Sequence, residues 1–389
     1  MDLELPEDVK MLQTTMRKVV RDELMPLEPT IMEEEMKGAS GNFPEELHKK
    51  LSNRAKELGI WQGMLPEELG GAGLSLLADM VIGEELAYTI VNFPTTGGLG
   101  APIMLNAEPH VRDKYFPKLV SGELHDCFVQ TEPTGGSDVA GIQTFAERKG
   151  DEYILNGRKT FISAADKADI GFVVAVTDKA KGTHGGISTF IVDCHQPGWK
   201  VVRPIQTMGG MMWRPFEVLL EDVHTPADHR IGEEGRGFAF ASKFLSHGRI
   251  HMATSFVGLM RRSLDMSIDY AKKRVTFGEP LSNRQAVQWM LVDGAIGHHA
   301  SQLMVYQAAS AADDHPEADN RKETSMCRVF ASENGLKTID NAIQIHGGLG
   351  YSKDLPLELM WRRARIFTIG EGPNEIQRYI IARQMFRGN

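Results

Sequence analysis

The sequence has little of what marks a disulfide-stabilised, zinc-binding or membrane-spanning protein. Its three cysteines, Cys127, Cys194 and Cys327, lie far apart and form no CxxC pair. Neither a zinc site nor a disulfide framework is therefore predicted, and a reducing compartment is expected. No apolar run among the 389 residues is long enough to span a bilayer. We expect a globular protein without a membrane span.

An excess of basic residues is also missing. Asp and Glu number 52 against 43 Lys and Arg, which gives a formal net charge of -9 and a pI near 5.8. This balance argues against a nucleic-acid surface, which is normally basic. The first twenty residues contain acids and no apolar segment typical of a secretory signal. A cytoplasmic location is the simplest expectation, with no nucleic-acid partner.

The pattern of apolar residues divides the chain into three parts. Residues 1–124 are predicted to be an α-helical domain, because Val9, Leu12, Met16 and Val19 recur at helical intervals. Residues 125–232 contain short β-branched and aromatic runs, which predict a β domain with strands at GFVVAVT, ISTFIVD and FEVLLEDV. Within it, Asn156-Gly157 is predicted to be a hairpin turn between YIL and KTFI.

Residues 233–389 return to a long helical period, with breaks at RVTFGEPLSNRQ, DDHPEADN and HGGLGYSKDLP. Long helices with short breaks predict a helical bundle. Helices, then strands, then helices indicate an α+β fold and argue against the βαβ alternation of a Rossmann domain.

Several well-known catalytic motifs are absent. The sequence has no GxGxxG after a strand, no Walker loop and no GxSxG, so nicotinamide, nucleoside-triphosphate and serine-hydrolase functions lack their usual anchors. His247 and His251 have a spacing compatible with metal binding on a helix, but no carboxylate or thiolate stands at a matching interval. A metal site is therefore not predicted.

Two stretches of the β domain could bind a ligand. QTEPTGGSDVAG places Thr131 and Ser137 around a Pro-Gly-Gly type turn whose N–H groups and hydroxyls suit a ligand rich in hydrogen-bonding edges. A solvated turn with capping hydroxyls explains the same residues equally well. TFISAADKAD puts Phe161 and Ser163 at the end of a strand, where Phe161 could instead be an aromatic packed in the sheet.

Two features of the C-terminal part could likewise serve either a ligand or the local helix structure. Arg274 follows a long helix, where a cation interacts favourably with the helix dipole. Glu371 stands between Gly370 and Gly372 before a helix, where an acid could simply interact with the N-terminal dipole. A glycine on each side would also let the backbone approach a bound molecule closely.

Taken together, these stretches resemble the acyl-CoA dehydrogenase family over essentially the whole chain. The resemblance lies in the order and content of PEELGGAGLS, QTEPTGGSDVAG, LNGRKTFIS, EDVHTPADHRIGEEGRGF, RVTFGEPLSNRQ, IQIHGGLGYS and GEGPNEIQRYIIAR. It implies an N-terminal helical domain, a middle β-barrel-like domain and a C-terminal four-helix bundle. It also implies a dimer of dimers, with FAD bound without a Rossmann fold and electrons passed to an electron-transfer flavoprotein.

The resemblance also implies binding residues, which are carried over by motif position. Arg274 and Thr276 would contact the pyrophosphate from the neighbouring subunit, so that one site would need two chains. The FAD-binding positions implied are Phe128, Thr131, Ser137, Phe161, Ser163, Arg274, Thr276, Phe277, Gln285, Gln344, Gly347, Gly348, Pro373 and Glu375. The positions implied for the acyl-CoA substrate are Ser137, Ser246, Arg249, Glu371 and Gly372.

Glu371 resembles the catalytic base of the short- and medium-chain enzymes of this family. It would abstract the α-proton of an acyl-CoA thioester while the β-hydride leaves to flavin N5, giving a trans-2-enoyl-CoA. Burial beside a thioester and a flavin would raise the pKa of the carboxyl and make it a better base. Some members place the base directly before the arginine matched by Arg249. That position is Gly248 here, which leaves Glu371.

Three positions depart from the pattern. Gly370 stands where an aromatic residue is frequent, and we expect its absence to widen the acyl pocket for a branched, cyclic or bulky chain. Pro373 and Glu375 replace a hydroxyl residue and a glutamine that often contact FAD. The alternatives are a relative that works as an enoyl-CoA reductase or an acyl-CoA oxidase, and a non-catalytic FAD-binding assembly protein, which the acidic balance and the retained Glu371 disfavour.

Overall fold

The computed structural model describes residues 4–38, 43–96, 98, 100–182, 185–211 and 214–386, with the backbone alone given at 238–247. Its N-terminal part is helical, as predicted. The apolar period of the first segment forms a helix that buries Val9, Met16 and Val19. The helices are α1 (Glu7–Val19), α2 (Glu28–Met36), α3 (Glu45–Glu57), α4 (Leu76–Leu86), α5 (Gly100–Met104) and α6 (Pro109–Ser121).

The glycine-rich loop before α4 ends in a helix cap. The hydroxyl of Ser75 accepts a hydrogen bond from the N–H of Ala78, and the carboxylate of Asp313 accepts from the N–H groups of Leu76 and Leu77. A cap of this kind satisfies donors that the first turn of a helix leaves free. The start of α4 is thereby fixed to the C-terminal part of the chain.

The middle part of the chain forms a sheet. Its strands are β1 (Asp126–Val129), β2 (Phe145–Lys149), β3 (Glu152–Ile162), β4 (Ile170–Val176), β5 (Ile187–Asp193), β6 (Trp199–Pro204), β7 (Phe216–Pro226) and β8 (Arg230–Ile231). Their order is β6-β7-β3-β2-β4-β5-β8, with β1 parallel to β4. The sheet curls enough for the Thr225 hydroxyl on β7 to donate to the carbonyl of Ile191 on β5.

The predicted hairpin turn at Asn156-Gly157 is wrong. Both residues lie inside β3, at an irregularity in its pairing with β7 between Leu155 and Gly157. The hairpin between β2 and β3 turns instead at Gly150, whose φ is +65°. A Cβ on Gly157 would lie 2.2 Å from Thr144 Oγ1, so this glycine marks a close approach of two backbones within the sheet.

The C-terminal part is a set of long helices that begin and end near the predicted breaks. They are α7 (Gly237–Lys273), α8 (Gln285–Asp314), α9 (Arg321–His346), α10 (Gly348–Tyr351), α11 (Leu357–Ala364) and α12 (Asn374–Phe386), with a small hairpin of β9 (Val275–Thr276) and β10 (Glu279–Pro280) between α7 and α8. Gly347 follows α9 with a φ of +60°, a conformation that residues with a side chain rarely adopt, and the helix ends there.

The N-terminal and C-terminal helices share one hydrophobic core. Met16 on α1, Met80 on α4 and Phe256 on α7 are all buried in it, together with Ala331 on α9. The sheet has a separate core around Val173, Phe190 and other inward-facing residues. The α+β fold expected from the order of helices and strands is confirmed. No helix in the described ranges is long and apolar enough to cross a membrane.

Helices α7 and α9 touch at Gly335. A Cβ at this position would lie 2.2 Å from Cδ1 of Phe256, so the two helices approach as closely as a glycine allows. We expect Gly335→Val to lower the free energy of unfolding by about 1–3 kcal/mol, the usual cost of overpacking a core. Urea denaturation followed by circular dichroism measures this change.

Gly136→Val is the matched control, because a Cβ at Gly136 meets no atom within 4 Å. An unchanged urea midpoint for Gly335→Val would show that the two helices can separate without loss of packing, contrary to the close contact described here.

Candidate active site

Glu371 lies in the short loop between the 3₁₀ turn Arg365–Thr368 and α12. Its φ is +54°, and that of Gly372 is +86°. A residue with a side chain rarely adopts this left-handed conformation, which costs about 1–3 kcal/mol and persists only where neighbouring groups hold it. Gly372 needs the freedom of glycine, whereas Gly370 does not have a positive φ.

The side chain of Arg328 on α9 forms hydrogen bonds to the backbone of this loop. Its side chain is completely buried, and its guanidinium donates hydrogen bonds to three backbone carbonyls of the loop. Nη1 lies 3.3 Å from the carbonyl oxygen of Glu371, and Nη2 lies 2.9 Å from that of Phe367 and also bonds that of Gly370. The planar fork of an arginine suits several acceptors at once.

These bonds also orient the N–H groups of the loop. In a trans peptide the C=O and the N–H point in opposite directions. Because the carbonyls of Gly370 and Glu371 point toward Arg328, the N–H groups of Glu371 and Gly372 point away from α9. In the described part of the chain, the N–H of Glu371 donates to no protein acceptor, so it is available to a bound molecule.

A buried polar network fixes the other end of the loop. The side-chain amide of Gln377 donates to the carbonyl of Gly372 at 2.8 Å, and the Ser325 hydroxyl donates to Gln377 Oε1 at 3.0 Å. The amide of Asn374 donates to the Ser332 hydroxyl at 2.9 Å. All four side chains are buried, so the first turn of α12 is anchored to α9 and the loop cannot move independently of either helix.

The carboxylate of Glu371 lies against the backbone of Gly248 on α7. A Cβ at position 248 would be 2.1 Å from Oε2 of Glu371. The carboxylate therefore fills the space that any side chain at 248 would need. The two positions that the family resemblance implies for a base therefore compete for one volume here, and Glu371 occupies it.

The surroundings of Glu371 act on its pKa in opposite directions. Burial among protein atoms raises the pKa of the carboxyl, while the charges of Arg328, His251 and Arg249 lower it, and the net effect is a raised pKa. The residue is nevertheless exposed to solvent. A carboxylate that is surrounded by protein atoms and still reached by solvent is one that a bound molecule could cover.

Three cationic side chains lie around this carboxylate. Burial lowers the pKa of Arg328 to about 10 against the opposing charge of Glu371. Arg249 is buried, and its Nε and Nη1 have no hydrogen-bond partner among the described residues. His251 is paired with Asp79, with Nε2 2.8 Å from Oδ2. The predicted proximity of Arg249 to Glu371 agrees with this electrostatic coupling.

Two of the predicted flavin-binding segments of the β domain are joined by a backbone hydrogen bond. The N–H of Thr160 donates to the carbonyl of Thr131 at 2.9 Å, which joins the end of β1 to the end of β3. Phe161 has a φ of +58° and a side chain 58% exposed, so the alternative of an aromatic packed in the sheet is wrong. Ser137 and Ser163 are exposed nearby in sequence, and Phe128 is half-buried on β1.

A second group of predicted residues lies on the surface of the helical part. Phe277 is 97% exposed with a φ of +50°, and the carbonyl of Thr276 accepts from Arg284 Nη2 at 2.7 Å. No hydrogen bond or ion pair within the described residues of one chain joins this group to Glu371 or Thr131. Its members are Arg274, Thr276, Phe277, Gln285, Gln344, Gly347 and Gly348.

The remaining predicted positions have mixed outcomes. Pro373 is half-buried beside Gly372, and Glu375 is exposed on the first turn of α12. The side chain of Ser246 lies outside the described residues, as does that of His247. The described residues contain no group of three or more His, Cys, Asp or Glu side chains that could hold a metal ion.

Sequence reasoning missed two parts of the site. Arg328 lies in the long helix α9, and nothing in the local sequence distinguishes it from the other arginines; its role is visible only once the loop of Glu371 is seen to pack on it. Asp79 and His251 are 172 residues apart in the sequence, and only the packing of α4 on α7 brings them together. In the sequence alone, His251 stands out only by its four-residue spacing from His247.

Three family models match this chain in sequence order. They are described as the N-terminal, middle and C-terminal domains of acyl-CoA dehydrogenase and match residues 6–123, 127–223 and 235–386. The chain is 37% identical to a 3-(aryl)acrylate reductase of Clostridium sporogenes over 90% of this chain and 92% of that protein. It is 34% identical to an (R)-benzylsuccinyl-CoA dehydrogenase of Thauera aromatica over 99% of this chain and 97% of that protein.

A similar solved structure is the butyryl-CoA dehydrogenase of Megasphaera elsdenii. It is 31% identical, covers 100% of both chains and gives a TM-score of 0.87. The likeness therefore extends over all three parts of the fold.

The raised pKa of Glu371 predicts a pH-dependent cost in stability. A carboxyl whose pKa is higher in the folded state favours folding at low pH, and this contribution is lost as the pH rises through the folded-state pKa. We expect Glu371→Gln to have a higher urea midpoint than the wild type at neutral pH, with a difference that shrinks as the pH falls. Denaturation at several pH values measures it.

The same measurement on Glu375→Gln, which removes an exposed carboxylate from the same segment, corrects for the loss of one negative charge. A constant difference between Glu371→Gln and wild type at all pH values would contradict a raised pKa at Glu371.

Proposed function

Because the chain belongs to the acyl-CoA dehydrogenase family, we propose that it removes one proton and one hydride from an acyl-CoA thioester to give a trans-2-enoyl-CoA. The observation that carries this proposal is the carboxylate of Glu371, held in a left-handed loop by Arg328 and placed against Gly248. Both catalysis and substrate binding are assigned to this loop.

Glu371 acts as the base that takes the α-proton. A carboxylate in water is too weak a base for this proton. The protein must therefore bring the pKa of the carboxyl and the pKa of the α-proton closer together. Burial raises the pKa of Glu371, and a thioester that covers the carboxyl removes more water and raises it further. The charges of Arg328, His251 and Arg249 oppose this rise and favour the ionised form.

The thioester must also be made more acidic. The N–H of Glu371 points away from Arg328 and has no protein acceptor in the described residues, so it is positioned to donate to the thioester carbonyl. Such a donor stabilises the negative charge that develops on this oxygen as the α-proton leaves, which in comparable sites is worth about two to three powers of ten in rate. One loop thus supplies the base and a donor.

The edge formed by Thr131 and Phe161 fits FAD. An exposed aromatic ring held at a strained backbone position suits stacking or edge contact with a planar heteroaromatic ring. The hydroxyls of Thr131, Ser137 and Ser163 provide hydrogen bonds to its edges. Bound there, FAD supplies the acceptor for the β-hydride.

The exposed group around Phe277 supports a site completed by a second chain. Arg274 and Thr276 are assigned to the pyrophosphate of the neighbouring subunit's FAD. Its adenosine half is assigned to Phe277, Gln285, Gln344, Gly347 and Gly348. On α8, Trp289, Val292 and Ile296 form an exposed apolar stripe at helical spacing. We assign this chain a homo-oligomeric state, a dimer of dimers, and a cytoplasmic location.

The acyl group is proposed to be branched, cyclic or otherwise bulky. The atom nearest to a Cβ at Gly370 would be the carbonyl oxygen of Ile366, at 3.5 Å, so the protein leaves room there that a larger side chain could fill. One relative is an (R)-benzylsuccinyl-CoA dehydrogenase, and the acyl group in that name is both branched and aromatic. Activity confined to short straight chains would contradict this assignment.

Electrons are proposed to leave through an electron-transfer flavoprotein. The similarity to a 3-(aryl)acrylate reductase makes enoyl-CoA reduction the second candidate, because the same base and flavin serve both directions. Anaerobic bleaching of the flavin by saturated thioesters favours the dehydrogenase, whereas rapid reoxidation of the reduced flavin by enoyl thioesters in preference to the flavoprotein favours the reductase. Oxygen consumption during turnover identifies an oxidase.

Glu371→Gln tests the proposed base. The variant is expected to bind FAD and to lose reduction of the flavin by acyl-CoA, by about three powers of ten or more, because an amide cannot accept the α-proton. Stopped-flow absorbance at the flavin band measures the rate. Turnover at the wild-type rate in a variant that still binds FAD would remove Glu371 from the mechanism.

Arg328 variants test the positioning of the loop. Arg328→Met removes the charge and all three carbonyl contacts, while Arg328→Lys keeps the charge but cannot reproduce the fork. We expect both to slow flavin reduction, by about two powers of ten for methionine if the N–H of Glu371 loses its orientation. Only methionine should shift the pH profile of the rate to higher pH, since the charge of Arg328 lowers the pKa of Glu371.

The FAD content of each Arg328 variant is the control for folding. If methionine and lysine gave the same rate and the same pH profile as the wild type, Arg328 would have only a structural role.

A further inference from the structure

A second polar group lies beside the carboxylate of Glu371. His251 follows Gly248 by three residues on α7, and side chains three apart on a helix are neighbours, with about 5–6 Å between their Cβ positions. Because Gly248 touches the Glu371 carboxylate, the imidazole of His251 stands next to the proposed base. Asp79 on α4 holds it from the opposite side, with Oδ2 2.8 Å from Nε2.

The imidazole of His251 is surrounded by protein and still reached by solvent. Burial is the largest influence on the pKa of His251 and lowers it, but the charge and hydrogen bond of Asp79 and the charge of Glu371 raise it above its ordinary value. The side chain is nonetheless 44% exposed. Glu371 is likewise influenced by burial and exposed to solvent, so a molecule that covers Glu371 can also reach His251.

One turn beyond this ion pair, α4 and α7 pack directly against each other. A Cβ at Gly83 on α4, four residues after Asp79, would be 3.3 Å from Cγ2 of Thr254 on α7. Oγ1 of Thr254 lies 2.9 Å from Sδ of Met80. An acyl chain that ran from Glu371 along α7 toward Thr254 would meet the His251–Asp79 pair before it met this close contact.

The His251–Asp79 pair offers a hydrogen-bond donor to a bound acyl chain. With Nε2 engaged by Asp79, the remaining ring nitrogen Nδ1 carries a proton when the imidazole is charged and has no acceptor among the described residues. A saturated hydrocarbon lying over the pair would remove its water and replace none of its hydrogen bonds, which costs free energy. An oxygen placed there would satisfy the donor.

We propose that His251, held by Asp79, forms a subsite for a carbonyl or hydroxyl oxygen carried by the acyl group. The three-residue step from Gly248 is about 4.5 Å along the helix, which places this oxygen on about the fifth carbon of an extended chain. A neutral oxygen is favoured over a carboxylate, because Asp79 offsets the imidazolium charge and Glu371 adds a negative one. This inference rests on the proposed dehydrogenation of an acyl-CoA.

The test compares two thioesters that differ in one group of similar size. The FAD-loaded enzyme is given 5-oxohexanoyl-CoA or 5-methylhexanoyl-CoA, and kcat/KM is measured for flavin reduction with each. The wild type is expected to prefer the keto compound about tenfold or more, the value of one hydrogen bond to a charged donor. The double variant His251→Leu/Asp79→Leu, which removes the pair together and leaves no unpaired charge, is expected to reverse this preference.

The matched control is His110→Leu/Asp228→Leu, which removes an exposed His–Asp pair of the same 2.8 Å separation and should keep the wild-type ratio. Equal use of both thioesters by the wild type, or an equal loss on both in the double variant, overturns the subsite. If neither of these thioesters nor butyryl-CoA reduced the flavin of the wild type, the result would instead contradict the proposed function itself.

Discussion

The structure around the proposed base depends on one buried guanidinium. Burying a charged arginine without partners is expensive, and Arg328 meets this cost by donating to the carbonyls of Phe367, Gly370 and Glu371. The same bonds hold Glu371 in a left-handed conformation that an isolated chain would seldom adopt. The buried guanidinium of Arg328 and the left-handed loop of Glu371 therefore stabilise each other. Neither is expected to keep its conformation without the other.

The electrostatics of the site follow from this arrangement. A carboxyl that is only buried would be protonated before substrate binds and could not act as a base, whereas one that is only surrounded by cations would bind the α-proton too weakly. Here burial raises the pKa of Glu371 and three cations oppose the rise. Each cation is itself buried or paired, so the balance is built into the fold and does not depend on flexible surface groups.

The sequence predicted the architecture well because its signals are local. Helical periods, strand composition and the breaks between long helices correctly gave the order of elements, and motif order pointed to Glu371 and to the loop of Thr131. The Asn156-Gly157 hairpin failed because a local turn signal was overridden by the packing of Gly157 on Thr144, a contact that only the sheet creates. Arg328 and the Asp79–His251 pair could not be found for a similar reason, since their roles arise from contacts between distant helices.

Gly248 shows how backbone space can decide where the chemistry is done. Position 248 on α7 and position 371 in the loop before α12 approach the same point, where there is room for only one of the two side chains. A side chain at 248 would have to displace Oε2 of Glu371 and with it the loop that Arg328 orients. Moving the base would therefore require simultaneous changes at both positions and in the contacts that hold the loop. A single substitution that adds a carboxylate at 248 creates two like charges in one space, where one must be protonated or expelled.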